Sequence, residues 1–536
     1  VLPDLSQASK LQQANPQDIS NILWALAMLE LTDSVAQQLV QQFVKVLPHA
    51  SPQAVSNTLW AAATLGSQLS EGVVQRLVQQ LIHVLPEAKP QEVSNTMWAA
   101  ATLKVQLTDG VVQRLVQHFL QALPQANPQN ISNTLWALAT LNVQLSQSVV
   151  KQLVQQLVQV LPQASPQNVS NTLWALATLN VQLSESVVKQ LVQHLVQVLP
   201  QANPQDVANT LWALAILNVQ LSEGLVQQLL KQLVQVLPQA SPQAVANTLW
   251  ACGRMQVAPL KLLSTLEQHP VQVHNLLAAA GPQNVANMAW ACGHLGYKGK
   301  LLPVVLLQQA VQSQQDSNRG ICNLQELCNL CWSASVLDLQ QCVPQVLQLA
   351  AVCQLGWANA AGEGCCQLYQ VHLWLLDSQL PTPGQGLLGV LSQQQLQQCK
   401  DSWEQQLRDS TTAAKASDLQ RSVFAALQTL PGDTWQQSPV MEQRSADGAL
   451  SIDIAATTVS GVQLAIEVDG PSHFVQPNRT YHGPTLFRNR ALAARGYVLV
   501  SIPFCEWNLL RGAQQKQQYL LSKLQAAAQA DSSSTS

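Results

Sequence analysis

Apolar residues recur along the first 300 positions at three-to-four-residue spacing, and the pattern itself repeats. In the unit around residues 165–200, Val169, Leu173, Leu176 and Ala177 form an i, i+4, i+7, i+8 stripe, which predicts an amphipathic helix. Ser165-Pro166 supplies an N-cap followed by proline in the first turn. A second helix is predicted from Ser184, with Val187, Val188, Leu191, Val192, Leu195, Val196 and Leu199 on one face, stopped by Pro200. Gln and His hold the opposite face. A Trp marks each copy, at Trp24, Trp60, Trp98, Trp136, Trp174, Trp212, Trp250 and Trp290, in steps of 36, 38, 38, 38, 38, 38 and 40. A fixed period in this range means stacked helical hairpins, because one hairpin cannot bury its apolar face alone. Asn329-Leu330-Cys331-Trp332 repeats the Asn-x-x-Trp spacing and predicts a degenerate ninth unit near 321–348. The recurring Trp is expected as a core wedge, costing ~3–5 kcal/mol if removed; the alternative is an indole exposed for base stacking.

The period then changes. Residues 349–435 read as a helical connector, with helices over 387–409 and 416–429 and a Pro/Gly linker at 381–386. From about Gln436 the alternation becomes two. Ala449–Ala455 and Val462–Val468 read as strands, 485–495 as a helix, Tyr497–Pro503 as a buried strand and 512–528 as a final helix; 529–536 is expected to be a disordered tail. The implied division is repeats over 1–348, connector over 349–435 and a small α/β domain over 436–528.

Composition narrows the chemistry. Charged residues are only 10 % of the 536, and Gln supplies 80 positions, so the polar surface is mostly neutral amide. The net charge of −3 gives no global field toward nucleic acid. Residues 1–300 carry 13 Lys+Arg against 12 Asp+Glu, and 440–530 carry 8 against 6. RNA binding would therefore need local patches, stacking or amide hydrogen bonds. No apolar run approaches the ~18–20 residues of a membrane span. The chain opens at Val1 without Met, as expected of a processed or truncated product. All 11 Cys lie at or after Cys252, which suits a reducing compartment better than a disulfide framework. Cys328-x-x-Cys331 has zinc-like spacing. In repeat register, however, these cysteines fill the Ser170 and Leu173 slots, which reads as small buried thiols.

The segments AIEVDGPSHF, GPTLFRNRALAARGYVLVSIPFCEWNLL and YLLSKL resemble the RAP domain over roughly 440–526. The units reading PQ(D/A/E/N)(V/I)(S/A)NTLWALATL are similar to octotricopeptide repeats, which occur with RAP domains in algal organelle proteins. Together the resemblances imply a mainly α protein: a right-handed α-solenoid of ~38-residue hairpins, then a small restriction-endonuclease-like α/β domain. They imply an RNA-binding factor for chloroplast or, alternatively, mitochondrial transcripts, acting in RNA processing (rRNA included), stability or translation. Single-stranded mRNA or rRNA and other organellar RNA-processing proteins are the expected partners, with no membrane and no cofactor.

The nuclease-like fold implied by that resemblance makes Asp453, Glu467 and Asp469 candidate Mg²⁺ ligands, with His473 as proton carrier, for an endoribonuclease reading. Glu467 and Asp469 are two apart and share a strand face. Asp469, however, stands where the nuclease pattern has Lys, and both carboxylates could instead pair with Arg488 and Arg490, so binding is expected rather than cleavage. In the repeats, base reading needs solvent-facing side chains that vary between units. The third residue of each first helix varies: Asp18, Ala54, Glu92, Asn130, Asn168, Asp206, Ala244 and Asn284. The competing role is an ordinary first-turn site favoured by the helix dipole. The invariant Asn21, Asn57, Asn95, Asn133, Asn171, Asn209, Asn247 and Asn287 are expected to form an inter-unit hydrogen-bond ladder, or else to touch backbone or ribose. Arg76, Arg114, Lys151, Lys189 and Lys231 form a sparse basic line suited to phosphate. Arg488 and Arg490 are further RNA-binding candidates. A protein scaffold that binds no RNA is a third reading.

Overall fold

The computed structural model describes residues 14–31, 34–66, 69–181, 184–219, 222–315, 320–360, 362–378, 385–413 and 417–534. The described chain is a series of helical hairpins followed by a small sheet domain. Contacts divide it into two compact units, Val1–Gln239 and Ala240–Ser536. The boundary falls inside the repeats, not at the end of the array near 348, so the second unit holds the later hairpins, the connector and the C-terminal domain together. No helix among the described residues is long and apolar enough to cross a membrane.

A typical hairpin pairs Pro166–Thr178 with Glu185–Val198 and closes with the 3₁₀ turn Leu199–Gln201. Ser165 caps the first helix by accepting from the Asn168 N–H, and Asn168 reciprocates with the Ser165 backbone. The turn between the helices places Asn142, Asn180 and Asn218 in the left-handed region, where Asn is better tolerated than other side chains. The core is not built on tryptophan. The residue before each Trp is fully buried: Leu59, Met97, Leu135, Leu173, Leu211 and Leu249 are 0 % exposed. The ninth unit appears as Leu324–Leu337 and Val343–Cys353. Cys328 and Cys331 are buried within it, and the Cys331 thiol lies 3.7 Å from the Val346 carbonyl. Near Pro259 and Pro270 the second helix splits into Leu260–Gln268 and Pro270–Ala278, because proline cannot continue a helix from within.

The connector contributes Gly362–Asp377, Gln393–Ala413 and Asp418–Gln428. Of the expected 381–386 linker, residues 381–384 lie outside the described residues. The C-terminal sheet has strands β1 (Trp435–Arg444), β2 (Ser451–Thr458), β3 (Gln463–Asp469) and β6 (Val498–Pro503), in order β1-β2-β3-β6. β1, β2 and β3 pair antiparallel and β3–β6 pair parallel, linked by the helix Gly483–Ala494. A small hairpin, β4 (Phe474–Val475) and β5 (Thr480–Tyr481), precedes that helix. Ile454, Ile466, Val468, Val500 and Ile502 face the helices Asp418–Gln428 and Gly512–Ser534 and form a core with Val423, Leu427 and Leu520. The final helix runs to Ser534, past the expected end at 528 and over most of the stretch read as a disordered tail. Gln525–Ala530 (QAAAQA) is a strong helix-forming run, and alternation or polarity alone does not register that propensity. Residues 535–536 lie outside the described residues.

Candidate nucleic-acid interface

The helical period fixes what each first helix shows to solvent. Gln129, Asn133, Trp136 and Thr140 stand at i, i+4, i+7 and i+11, and so share one face. The opposite face, with Ile131, Leu135 and Leu138, is buried. In this and the equivalent helices the Trp is half-buried, the core-wedge expectation notwithstanding; Trp24 is 44 % exposed. The indoles line up instead. Trp98–Trp136, Trp136–Trp174 and Trp174–Trp212 ring centroids are 6.4, 6.2 and 6.3 Å apart, and Trp250–Trp290 are 6.1 Å apart. These separations are shorter than the 8–10 Å between packed helix axes, so the side chains lean toward one another. A small residue three positions after each Trp accepts the next indole. Gly253 and Gly293 leave room for Trp290 and Trp332, whose rings lie 3.1 Å from where a Cβ would sit.

Beside the indoles stand the invariant amides. Asn57, Asn95, Asn133, Asn171, Asn209, Asn247 and Asn287 are half-exposed and make no hydrogen bond within the protein among the described residues, so the expected inter-unit ladder does not form. Asn21 differs, accepting from Gln17 at 2.9 Å in its own helix.

Between neighbouring first helices, hydrogen bonds are made by the variable position. Ala54, Asn130, Asn168, Asp206 and Ala244 are buried, not presented to solvent. Asn130 and Asn168 donate to Ser94 and Ser132 of the preceding unit at 3.5 and 3.2 Å, and Asp206 accepts from Ser170 at 3.1 Å. Asp18, Asn130, Asn168 and Asp206 also complete capping boxes. Glu92 and Asn284 are half-buried and Asp18 is exposed. Burial raises the Asp206 pKa, opposed by the Asn203 backbone N–H and the Ser170 hydroxyl. The base-reading expectation fails at Ala54, Asn130, Asn168, Asp206 and Ala244, where the third helical residue is buried against the neighbouring first helix.

Arg76, Arg114, Lys151, Lys189 and Lys231 are exposed on the second helices. These cations stand on the second helices, not on the first helices that carry the strip. Lys189 pairs with Glu185 at 2.8 Å, and Arg114 donates to the Ile82 carbonyl at 3.4 Å.

In the C-terminal domain, strand alternation puts Glu467, Asp469 and Ser501 on the sheet face covered by Gly483–Ala494. Glu467 and Asp469 are 1 % and 0 % exposed. The Arg488 guanidinium lies against Glu467 and 4.0 Å from Asp469. Asp469 also accepts from Tyr481 at 2.9 Å and from the Ser501 hydroxyl, and it lies 3.3 Å from His473. Asp453, half-buried on β2, accepts from the Val468 N–H at 2.9 Å. Burial pushes the Glu467 carboxyl up to about 8, against the pull of Arg488. Burial likewise opposes the Arg488 charge, but Glu467, Asp453 and Asp469 more than offset it and hold its pKa above the usual value. Burial and then Arg488 hold His473 below the ordinary range.

The four residues expected to carry catalysis are therefore brought together, but the arrangement does not fit Mg²⁺. A guanidinium already fills the cation position between buried carboxylates, and among the described residues no three His, Cys, Asp or Glu side chains are placed to hold a metal ion. Arg490 goes elsewhere: it lies 3.8 Å from Asp338 and donates to the Ser335 and Val336 carbonyls, holding the domain against the Leu324–Leu337 helix. Arg495 adds pairs to Asp377 at 2.9 Å and Asp447 at 2.6 Å. Gly483 allows the closest approach, since a Cβ there would overlap the Gly293 carbonyl. Gln256 donates to the Ser472 carbonyl at 2.9 Å, and its own carbonyl accepts from the Gln476 N–H at 2.9 Å.

This docking leaves a partly open cavity of 460 Å³ within the second unit. Trp290, His294, Trp332 and Arg254 line it from the repeats, Gln367, Gln370 and Trp403 from the connector, and His473, His482, Phe487 and Arg488 from the C-terminal domain. Burial, with His482 and Arg254 nearby, holds His294 down to about 4; burial also brings His482 to about 4. Neutral His482 accepts the Thr485 N–H on Nδ1 at 3.1 Å as the cap of its helix. Sequence reasoning missed Arg254, His294, His482, Tyr481 and Ser501. Only the fold joins Arg254 and His294 to His482, and no local spacing announces them.

Comparison with known proteins places residues 466–523 in the RAP domain family. Residues 111–300 match the family described as RNA-editing substrate-binding complex 6 protein, and residues 2–179 the Tbc2 translation factor, N-terminal domain. The chain is 45 % identical over 58 residues to a RAP domain-containing protein, chloroplastic, from Oryza sativa subsp. japonica; the match spans 11 % of this chain and 9 % of the rice protein. Among solved structures, Kap121p bound to Ste12p and Kap121p bound to Nup53p are similar at 11 % identity over 83 % of this chain. The similarity spans 48 % and 49 % of those chains, with TM-scores of 0.26 and 0.28.

Proposed function

We propose that this chain, a helical-repeat protein whose residues 466–523 are a RAP domain, is an RNA-binding factor of organellar RNA metabolism. The observation that carries the reading is the strip of evenly spaced, half-exposed indoles flanked by unpartnered amides on the first helices. Aromatic faces stack on any base, at ~1–3 kcal/mol per base, and a free carboxamide can donate to and accept from base edges or ribose. Because the strip repeats almost unchanged, it suits a single strand held with weak sequence preference. Selectivity then has to come from where units differ, as at Ile216 and Arg254, which replace the Thr of the strip. The low charge gives phosphate contacts a secondary place. The RNA-editing and translation-factor families that match the repeats, and the chloroplastic name of the rice protein, favour organellar transcripts, with the chloroplast ahead of the mitochondrion. The RAP domain acts here as a binding and docking element, since Arg488 already neutralises its carboxylates.

Ultraviolet crosslinking of the full chain to cellular RNA, followed by mapping of the crosslinked peptides, tests this. Adducts should concentrate on first-helix peptides carrying the Asn-x-x-Trp pairs. Adducts confined to second helices, or recovery no better than for an unrelated protein, would overturn the reading.

A further inference from the structure

Charge is sparse along the chain, and the second unit gathers an unbalanced share of it. Residues 240–300 carry Arg254, Lys261, Lys298 and Lys300 against one acid, Glu267, in a chain of net charge −3. Residues 470–482 add Arg479 and no acid. All five cations are exposed, and none of their side chains has an ion-pair or hydrogen-bond partner among the described residues. Backbone contacts bring the segments together. Val257 bridges Gln476, and the Ala258 N–H donates to the Gln476 carbonyl at 2.7 Å, which sets the segment from Arg254 to Lys261 beside the β4–β5 turn that carries Arg479. Gly296 lies against the same hairpin, with the Tyr481 carbonyl 3.2 Å from where a Cβ would sit, and Lys298 follows two residues on. Glu267 accepts from the Leu301 and Leu302 N–H groups at 3.0 and 2.9 Å and so caps the helix Leu302–Gln315. That bond ties Lys300 to the helix Leu260–Gln268, which holds Lys261. The Glu267 charge is met by those N–H groups and the helix dipole.

Like charges gathered in this way repel one another in the free protein, and no acid among the described residues offsets them. A partner with repeating negative charge would. Resting on the RNA-binding reading above, we infer that Arg254, Lys261, Lys298, Lys300 and Arg479 form a clamp for the phosphate backbone of the RNA, built jointly by the repeats and the C-terminal domain. Arg254 joins the clamp to the strip: it stands one turn beyond Trp250, and among the described residues it is the one Lys or Arg on the first helices from Pro16–Met28 to Leu324–Leu337. An anionic membrane surface is served less well. The cations lie on a helix end, a loop and a hairpin turn, not along one amphipathic helix, and the exposed Leu260 and Val271 lie on separate helices. The clamp holds the strand without reading it, because phosphate contacts position and base contacts specify.

Binding of the full chain to an unstructured single-stranded RNA, titrated at several salt concentrations, tests this. Each phosphate contact to a single strand contributes about −0.7 to the slope of log K against log salt, so two or three simultaneous contacts give the wild type about −1.4 to −2. Lys298→Gln combined with Lys300→Gln should flatten the slope by about 0.7–1.4 and weaken binding about fivefold or more at roughly 0.1 M salt. Arg479→Gln, on the C-terminal domain, should flatten it by about 0.7. Lys151→Gln combined with Lys189→Gln, on the second helices, should leave slope and affinity unchanged. Every substituted side chain is exposed, and the thermal midpoint of each variant checks its folding. If the triple variant at 298, 300 and 479 binds RNA with the wild-type slope, the clamp is wrong while the proposed function stands. If the wild type binds no RNA, the proposed function fails and the clamp with it. Co-sedimentation of the wild type with phosphatidylserine vesicles, lost in a triple variant whose RNA slope is unchanged, would assign the patch to lipid and overturn the clamp.

Discussion

Replacing Arg488 with Met probes the buried cluster directly. The side chain keeps most of its length, so packing changes little, but Glu467 and Asp469, at 1 % and 0 % exposed, lose the guanidinium that lies against them. Breaking a buried pair by removing one partner costs ~3–5 kcal/mol. The cost should depend on pH. The folded Glu467 pKa is raised to about 8, so its proton stabilises the native state. That contribution is complete below the unfolded value of 4.5 and is lost as pH rises through about 8. Near pH 6 Glu467 is protonated in both proteins, and Met costs mainly the Asp469 interaction, ~1–2 kcal/mol. Near pH 9 the wild-type carboxylate is ionised against Arg488. The variant must keep the proton while its unfolded chain releases it, which adds ~1.4 kcal/mol for each unit of further pKa rise. Hydrogen exchange of the β3 peptide Gln463–Asp469, in full-length wild type and variant at both pH values, isolates the effect from the other tryptophan-rich elements. A loss of protection that is equal at pH 6 and pH 9, or absent at both, would refute the reasoning.

Other expectations follow from the same geometry. Exchanging the buried third-position residues, Asn168→Asp with Asp206→Asn, should leave RNA affinity and base preference unchanged in a binding assay. Asp206→Asn alone should raise the thermal midpoint near pH 8, because the raised Asp206 pKa means its charge is unfavourable when folded. Leu173→Ala should cost ~2–5 kcal/mol in denaturant unfolding. Trp174→Ala should cost less, ~1–3 kcal/mol, since it loses two tilted ring neighbours at ~0.5–1.5 kcal/mol each but little full burial. Gly483→Ala should loosen the C-terminal domain from the repeats, seen as faster exchange in Pro282–Leu295 without unfolding of the sheet.

Helix boundaries in the repeats were legible because proline, cap and apolar stripe agree: Pro166–Thr178 and Glu185–Val198 start one residue past Ser165 and Ser184. Which polar residue faces water was not legible. A Trp beside a Leu looks like core by composition, yet the phase of the helix puts Leu173 inside and Trp174 on the strip with Asn171. The third helical residue looked exposed because it sits in a first turn, but here another first helix packs alongside it. In the C-terminal domain the strand alternation placed Glu467 and Asp469 together correctly. The partners Tyr481, Ser501 and Arg488 are joined only by the β3–helix–β6 crossover. β1 and the β4–β5 hairpin were missed; β1 shows mostly exposed polar positions, and the hairpin strands have two residues each.

The salt dependence of binding to an unstructured RNA of about 20 nucleotides tests the central claim most directly. If indoles and amides hold the strand, log K against log salt should be shallow, with a slope no steeper than about −2. Trp136→Ala combined with Trp174→Ala should then reduce affinity by about 2–6 kcal/mol, one stacked base for each Trp. A steep slope, surviving both substitutions and abolished by neutralising Lys151 and Lys189, would place the RNA on the second helices and contradict the account.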